Sequence, residues 1–510
     1  MSIQKYKPIP VIIGVGQVND REERSKASSR LNSLDLMEAA LLAADRDAGR
    51  GWLSRLDSLG VVDQISCPEL GDVCGPLAER VGAAPRICYK SGYASGDSPI
   101  LLLNEAANRI GAGEIKAAAI VGGESLRAAV RRGASSAPGG SPPDAVRAAA
   151  IRRGPSYRHR YGLVAPVDVY PLYENAARAA YGQTLAEGQA ESAAIWSRFS
   201  EVAEGNSGAW LRRRVSADEI MAVSPANRPI AFPYSKLMVA NSSVNQGAGF
   251  IVTSLAEAHA RGIGDDRIVF IGGGAAAHEP VDLMARANYA QSPSMSVSLR
   301  KALELNGLVT ADLDHVELYS CFPCVPKMAR RVIAWPVERP ASVFGGLTFG
   351  GGPVGNYMSH AVVSMVLALR QSGRHGLLFA NGGLATHNHS MVLSRTQPET
   401  NIFPQSFDFQ TAADALRGPA PPVQEDYLGP ATVETYTVLY DRQGSAQHGA
   451  IIGRAPNGAR FIAKVPATDA DTIRWLTSGE HEPVGMSGTA VRGADGDTWW
   501  VRSQTLKPVR

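Results

Sequence analysis

The feature that most constrains this chain is an order of elements that occurs twice along it. In the first half, a helical pattern over residues 98–111 is followed by an apolar strand pattern over 117–121 that ends at residues 122–123, Gly-Gly. In the second half, the same order ends in a strand pattern over 376–380 and the Gly-rich residues 381–383. Strands that alternate with helices of this length predict an α/β layered fold with largely parallel sheets, and the repetition predicts two similar halves.

The composition narrows the class of protein. Of the 510 residues, 45% are hydrophobic and 19% are charged, and the formal net charge is +3. These values are typical of a globular enzyme of several units and give no basis for a nucleic-acid partner. No segment reaches about 18 uninterrupted apolar residues, so no membrane span is predicted. The apolar run near the start lacks a small-residue cleavage site, and we interpret it as a first strand.

The five cysteines are Cys67, Cys74, Cys88, Cys321 and Cys324. Their odd number in a long chain argues against a disulfide scaffold and for a reducing compartment. We therefore expect a cytoplasmic protein and a free structural thiol at Cys88. Cys321 and Cys324 have the CxxC spacing of redox and zinc sites, but without a second such pair we favour buried thiols in a turn after a strand.

Changes of pattern along the chain predict three regions. Residues 1–270 form the first half and include an insertion at about 125–225, which begins rich in Pro, Gly and Arg and continues as helices. Residues 271–417 form the second half. After the linker 418–422, short strand patterns within 423–510 predict a small all-β barrel, similar to an OB fold, that should fold separately. Its mixed charges lack the one-sided positive surface that nucleic acid requires.

The most specific motif is FGGLTFGGGPVGNYMSH, residues 344–360, a Gly-rich loop that leads into a long helix. It resembles the Gly-Gly, Gly-His-Pro run of the thiolase superfamily, and DHVELYSCF at 314–322 resembles the thiolase loop that carries Asn-Glu-Ala-Phe. IAFPYSK at 230–236, residues 241–248 and the β-rich addition are similar to the thiolase-like proteins of type 1. The resemblance implies a duplicated five-layer α/β thiolase fold with two parallel-sheet halves. It also implies an acyl-CoA substrate that brings coenzyme A with it, no covalently bound cofactor, and a monomer or a homodimer.

Four catalytic positions of that family carry other residues in this chain. Tyr93 stands where thiolases place the nucleophilic cysteine, and Gly352 stands where they place the histidine of Gly-His-Pro. Tyr319-Ser320 replaces the Asn-Glu pair of thiolases or the His-Asp pair of sterol-carrier thiolases, and Ala380 replaces the acid/base cysteine. Because tyrosine has a pKa of about 10 and is a poor acyl acceptor, we do not expect chemistry through an acyl-enzyme at this position.

The candidate catalytic residues are those that the resemblance brings to the active-site loops: Tyr93, Tyr319, Ser320, Asn381 and His389, with Tyr357 and His387 close by. Two alternatives stay open for the tyrosines: Tyr93 could fill the vacant nucleophile pocket, and Tyr319 could be a core aromatic. His387 and His389 have His-x-His spacing, but no third ligand is evident, and no metal site is predicted.

The candidate coenzyme A contacts fall into two groups. The first comprises glycines that allow backbone to approach a ligand closely, with tight packing as the alternative: Gly351, Gly352 and Gly355. The second comprises arginines in the region where thiolases carry their CoA-binding loops: Arg127, Arg131 and Arg132. Guanidinium groups match the phosphates of coenzyme A, and a solvated basic loop is the alternative interpretation.

The leading hypothesis is an enzyme that makes or breaks a C–C bond next to a CoA thioester without an acyl-cysteine. Thiolase-like retro-aldolases of steroid side-chain breakdown lack the cysteine and act with an OB-fold partner. By similarity, a tyrosine would take the proton of a 3-hydroxyl group, and Asn381 with backbone N–H groups would stabilise the enolate. Two alternatives are an acetyl-CoA acyltransferase activity through an unrecognised nucleophile and a non-catalytic protein that binds CoA thioesters.

Overall fold

The computed structural model describes residues 8–21, 31–129, 156–399 and 401–503. Its strands are β1 (Pro10–Asn19), β2 (Ser58–Val61), β3 (Ile87–Lys90), β4 (Ala117–Ser125), β5 (Pro229–Ala231), β6 (Tyr234–Ser235), β7 (Asn245–Ser254), β8 (Val269–His278), β9 (His315–Leu318), β10 (His375–Gly382), β11 (His387–Ser394), β12 (Gly429–Tyr440), β13 (Ala446–Arg454), β14 (Arg460–Pro466), β15 (Ser487–Arg492) and β16 (Thr498–Arg502). Its helices are α1 (Ser33–Asp47), α2 (Cys74–Arg80), α3 (Ser98–Gly111), α4 (Tyr157–Arg160), α5 (Pro166–Ala180), α6 (Leu185–Gly205), α7 (Ala217–Met221), α8 (Leu255–Ala260), α9 (Pro293–Leu305), α10 (Cys324–Val332), α11 (Tyr357–Gln371), α12 (Gln410–Leu416) and α13 (Ala470–Thr477).

Nine of these strands form one mixed sheet in the order β3-β2-β4-β7-β1-β8-β11-β10-β9. The strands toward its two ends pair in parallel, β2 with β3 and β4, and β9 with β10. The strands between them pair antiparallel. The predicted fold class, two similar α/β halves followed by a β domain, is confirmed. The structure adds that β1 and β8 join the two halves in a single sheet.

Helices cover the sheet in layers. α3 and α11 contact each other and strands of both halves, so they form the central layer. Residues 357–366 of α11 are all buried, because this helix is enclosed by both halves. α1 and α9 each cover strands of one half. α1 lies very close to β7, where a Cβ atom built on Gly247 would be 2.5 Å from the carbonyl oxygen of Leu36. Glycine at this position therefore permits the layer spacing.

The C-terminal strands form a closed five-stranded barrel. The order β13-β14-β16-β15-β12 is closed by pairing of β12 with β13, and β14 and β16 run parallel. With α13 between β14 and β15, this is the topology expected of an OB fold. β5 and β6, which follow the helical insertion of the first half, extend the same sheet beyond β12. Separate folding of residues 423–510 stays a prediction.

One prediction about the cysteines is wrong. Cys74, at the start of α2, forms a disulfide with Cys88 in β3, across a Cα–Cα distance of 6.0 Å. Cys88 is thus no free thiol, and this bridge weighs against a compartment inferred from the cysteine count. Cys67, Cys321 and Cys324 are buried and take no part in this bridge. None of the helices in the described ranges has the length and apolar character to cross a bilayer.

Candidate active site

Three of the predicted loops meet at the turn that leads into α3. A Cβ atom built on Gly96 would lie 2.2 Å from the carbonyl oxygen of Asn381 and 2.4 Å from the hydroxyl oxygen of Tyr319. A Cβ atom on Gly382 would lie 2.1 Å from the Ser95 hydroxyl oxygen, and that hydroxyl donates to the Asp97 carboxylate. The structure therefore brings the turn at residues 93–97 against the ends of β9 and β10.

Tyr93 pairs with a histidine at the rim of this cluster. Its side chain is 41% exposed, and its hydroxyl oxygen lies 2.6 Å from Nε2 of His387. The His387 ring in turn meets the ring of His278 edge-on, with centroids 4.8 Å apart. This exposure argues against Tyr93 as a plug of an empty pocket. The pair can exchange a proton with each other and with solvent.

Tyr319 lies below this rim and is 6% exposed. Burial raises the pKa of Tyr319 well above its ordinary value, so the phenol is protonated at neutral pH. Its ring stands perpendicular to that of Tyr357, whose hydroxyl donates to Glu317 at 2.6 Å. The neighbouring Ser320 hydroxyl accepts from the backbone N–H of Leu347 at 3.2 Å. Tyr319 can therefore donate a hydrogen bond or a proton but is no base.

The Asn381 side-chain amide is occupied by protein partners, and so is Nε2 of His389. Asn381 Nδ2 donates to the Asn388 side chain at 2.9 Å, and its Oδ1 accepts from the Tyr170 hydroxyl at 3.0 Å. His389 Nε2 accepts from the side-chain amide of Asn104 at 3.0 Å, and burial lowers the pKa of this histidine to about 4. The ring is neutral at pH 7. In the described part of the chain, no three His, Cys, Asp or Glu side chains are grouped as metal ligands.

The Gly-rich loop before α11 packs against the same turn. A Cβ atom on Gly355 would lie 3.0 Å from Cα of Ala94, and one on Gly351, where φ is +105°, would lie 2.1 Å from Oε1 of Gln246. Both glycines are therefore required by packing. Gly352 donates its N–H to the Asn241 carbonyl at 2.8 Å, and the nearest atom to an added Cβ is 3.3 Å away. Of these three glycines, Gly352 leaves the most space for an added Cβ atom.

Arg127 lies close to this loop, while Arg131 and Arg132 fall outside the described residues. The Arg127 guanidinium stands 6.0 Å from the ring centroid of Trp210. The backbone N–H of Trp210 donates to Gly350 at 2.9 Å, which connects this aromatic to the Gly-rich loop. The predicted contact of Arg127 with coenzyme A stays a prediction.

The barrel and the whole chain were compared with known proteins. Residues 408–496 match the family model described as the thiolase-like protein type 1 additional C-terminal domain. The crystal structure of a monomeric SCP2-thiolase like protein type 1 from Mycobacterium smegmatis is 30% identical and superimposes with a TM-score of 0.81, covering 98% of this chain and 100% of that chain. The chain belongs to the SCP2-thiolase-like proteins of type 1.

More distant structures share the fold of this thiolase-like protein. The Ltp2-ChsH2(DUF35) aldolase is 17% identical with a TM-score of 0.56, over 77% of this chain and 99% of that one. Human mitochondrial 3-ketoacyl-CoA thiolase in complex with CoA is 15% identical with a TM-score of 0.59, over 76% and 98%. A comparison with curated protein sequences gives no match. The predicted family resemblance is confirmed.

Two polar residues of the thiolase-like site were missed from the sequence. Tyr170, on α5, donates to Asn381 and accepts from the backbone N–H of Ala385 at 2.8 Å. Glu317, on β9, accepts from the Tyr357 hydroxyl and from the Ser342 hydroxyl at 2.8 Å. Tyr170 belongs to the helical insertion, where no motif marks it. Glu317 could have been found, since a charged residue in the middle of an apolar strand pattern signals a partnered buried group.

Proposed function

We propose that this protein is an acyl-CoA-binding enzyme that breaks or makes a C–C bond next to the thioester by retro-aldol chemistry, without an acyl-cysteine. The observation that carries the proposal is the Tyr93–His387 pair at the rim, with protonated Tyr319 below it. A base and an acid of this kind are what an aldol cleavage requires. The fold shared with a CoA-bound thiolase and with an aldolase supports the substrate class.

In the proposed reaction, these three side chains carry the proton transfers. The Tyr93 oxygen takes the proton of a 3-hydroxyl group while its own proton passes to Nε2 of His387. The C2–C3 bond then breaks, C3 leaves as an aldehyde or ketone, and the electron pair forms the thioester enolate. The Tyr319 hydroxyl protonates the enolate at C2, after which Tyr319 takes up a proton and His387 releases one.

The residue proposed to stabilise the enolate is Tyr319, whereas the sequence led us to expect Asn381. Both hydrogens of the Asn381 amide point at protein acceptors, Asn388 Oδ1 and the more distant carbonyl of His387 at 3.4 Å. In the proposed reaction Tyr319 therefore stabilises the enolate, and Asn381 holds the loop.

An acyltransferase through another cysteine is the weaker alternative. Burial raises the pKa of Cys321 to about 12 and that of Cys324 well above its ordinary value. A thiol must ionise to attack a thioester, so neither is a competent nucleophile at neutral pH. A protein that binds CoA thioesters without turnover is the second alternative. We further propose a monomer, as the M. smegmatis relative is described, with a homodimer as the alternative.

The test is incubation of the purified protein with panels of 3-hydroxyacyl-CoA and acetyl-CoA. Release of an aldehyde or ketone supports the aldolase, free CoA from acetyl-CoA supports the acyltransferase, and saturable binding alone supports the binder. Tyr319→Phe and His387→Gln should each lower kcat at least about 100-fold with unchanged affinity for CoA. Tyr440→Phe, a partly buried tyrosine of the barrel, is the control. Full activity of Tyr319→Phe contradicts the mechanism.

A further inference from the structure

The turn between β10 and β11, residues 382–386, sets the position of His387. Its residue Ala385 has a φ of +57°, a conformation that L-residues with a Cβ adopt only at a cost of about 1–2 kcal/mol. Such a turn persists only when its surroundings hold it. Two tyrosines of α5 do so: the Tyr170 hydroxyl accepts from the N–H of Ala385 at 2.8 Å, and the Tyr173 hydroxyl donates to the carbonyl of Leu384 at 2.9 Å.

An arginine holds the same turn from another direction. The buried guanidinium of Arg286 donates to the Leu384 carbonyl at 2.9 Å, to the Ala385 carbonyl at 3.2 Å and to the Thr386 hydroxyl at 3.1 Å. Together with the tyrosines, five hydrogen bonds fix three consecutive residues immediately before His387. The turn is thus set by α5 and by the segment around Arg286.

Both of these supports are themselves held by the C-terminal barrel. On α5, the Leu172 carbonyl accepts from the Thr435 hydroxyl of β12, and the Asn175 side chain donates to the Tyr436 carbonyl at 2.9 Å. At the other support, Arg460 of β14, which is 0% exposed, donates to the backbone carbonyl of Arg286 at 2.6 Å.

We propose that the barrel is a positioning domain for the candidate active site, setting His387 against Tyr93 through α5 and through the Arg286 segment. The proposal rests on the proposed function in assigning a chemical role to this pair. In each connection a single covalent unit, α5 or Arg286, is hydrogen-bonded to the barrel on one side and to the turn on the other. A displacement of the barrel therefore displaces the turn. A 2.6 Å contact tolerates little displacement, because misplacement of a reacting group by about 1 Å can cost about 100-fold in rate.

The experiment compares two identical substitutions on one strand. Thr435→Val removes the hydrogen bond from β12 to α5, whereas Thr437→Val, at an equally buried threonine, removes a bond from β12 to the carbonyl of Phe232, which lies between β5 and β6 and not on α5. Tyr170→Phe removes the direct contact with the turn. All are made in the full chain, and equal thermal unfolding of the two threonine variants shows that folding is not the cause of any difference.

The first readout is independent of activity: the ring signals of His387, followed through a pH titration of histidine-labelled protein and assigned with His387→Gln. Tyr170→Phe and Thr435→Val should move these signals in the same direction, and Thr437→Val should leave them in place. The second readout is kinetic. Thr435→Val should lower kcat for 3-hydroxyacyl-CoA by about threefold to tenfold with unchanged KM, as expected for the loss of one hydrogen bond.

Unchanged His387 signals in both Tyr170→Phe and Thr435→Val overturn the positioning role, whatever the protein catalyses. Equal effects of Thr435→Val and Thr437→Val also overturn it, since they indicate general loosening of the barrel. Absence of turnover in the unaltered protein, with His387 signals that respond as expected, overturns the proposed function and leaves the positioning role supported.

Discussion

A buried ion pair anchors α5, the helix that carries Tyr170. Lys327 of α10 is 2% exposed, and its Nζ bonds the Glu174 carboxylate of α5, which is 4% exposed. The same ammonium donates to the Gly188 carbonyl at 3.0 Å and lies 3.3 Å from the Ser192 hydroxyl, while the Tyr234 hydroxyl donates to the other carboxylate oxygen at 2.9 Å. The pair is therefore desolvated and fully partnered.

Lys327→Met leaves the Glu174 carboxylate buried without a counter-charge. Removing one partner of such a pair costs about 3–5 kcal/mol, and methionine is as good a helix former as lysine, so the charge is the main change. With about 2.1 cal/mol/K of unfolding entropy per residue over the 510 residues, the loss lowers the apparent Tm by about 3–5 °C. Adding Glu174→Gln removes the stranded charge and keeps an acceptor for Tyr234, so the double variant should recover at least half of the loss.

The assay is thermal unfolding by calorimetry, with Lys301→Met as the control. Lys301 forms an ion pair with Glu304 in which the side chains are 34% and 65% exposed, and such surface pairs contribute about 0–1 kcal/mol. A loss in Lys327→Met no greater than in Lys301→Met refutes the reasoning. So does a double variant that is less stable than Lys327→Met alone.

Burial raises the pKa of Glu317 to about 7 from an ordinary 4.5, so its contribution to stability is full below about pH 4.5 and is lost as pH rises through about 7. Glu317→Gln should remove about 3 kcal/mol of that pH dependence, as measured by urea unfolding across this range. Gly122→Ala should cost about 1–3 kcal/mol in the same assay, because its Cβ would lie 2.3 Å from Oδ1 of Asn356. Denatured, unreduced protein should show three reactive thiols rather than five, and Cys74→Ser should lose about 3 kcal/mol, since the disulfide to Cys88 closes a loop of 14 residues; five thiols would contradict the bridge.

The fold could be predicted from the sequence because its signals are local. Apolar strand patterns that end in glycine, at residues 122 and 382, recur with helices of similar length between them, and this periodicity is sufficient to indicate the duplicated α/β architecture. The convergence of Tyr93, Tyr319 and Asn381 could also be anticipated, because the matched loops follow equivalent strands. The tight packing at Gly351 and Gly355 was one of two interpretations that the sequence left open, the other being close approach of the backbone to a ligand.

The rest depends on contacts between distant parts of the chain. Tyr170 acquires a role only when α5 packs against the turn at residues 382–386, and nothing in its own neighbourhood signals that contact. The pairing of Cys74 with Cys88 depends on how closely α2 approaches β3, which cysteine counting does not determine. The two acceptors of the Asn381 amide hydrogens, Asn388 Oδ1 and the carbonyl of His387, likewise become known only from the folded structure.

The pattern of charge in the site decides where a reaction can begin. Burial lowers the pKa of His389 to about 4 and that of His360 to about 3, and it raises the pKa of Tyr319 well above its ordinary value. At neutral pH these buried histidines are therefore uncharged and the Tyr319 phenol is protonated, so none of the three is an effective base. In the proposed reaction the first proton transfer therefore falls to the pair of Tyr93, which is 41% exposed, and His387. Under the proposed function, the loss of the cysteine, the substitution at Gly352 and the presence of Tyr93 are thus parts of one change, in which a tyrosine–histidine pair takes the 3-hydroxyl proton and no acyl-enzyme forms.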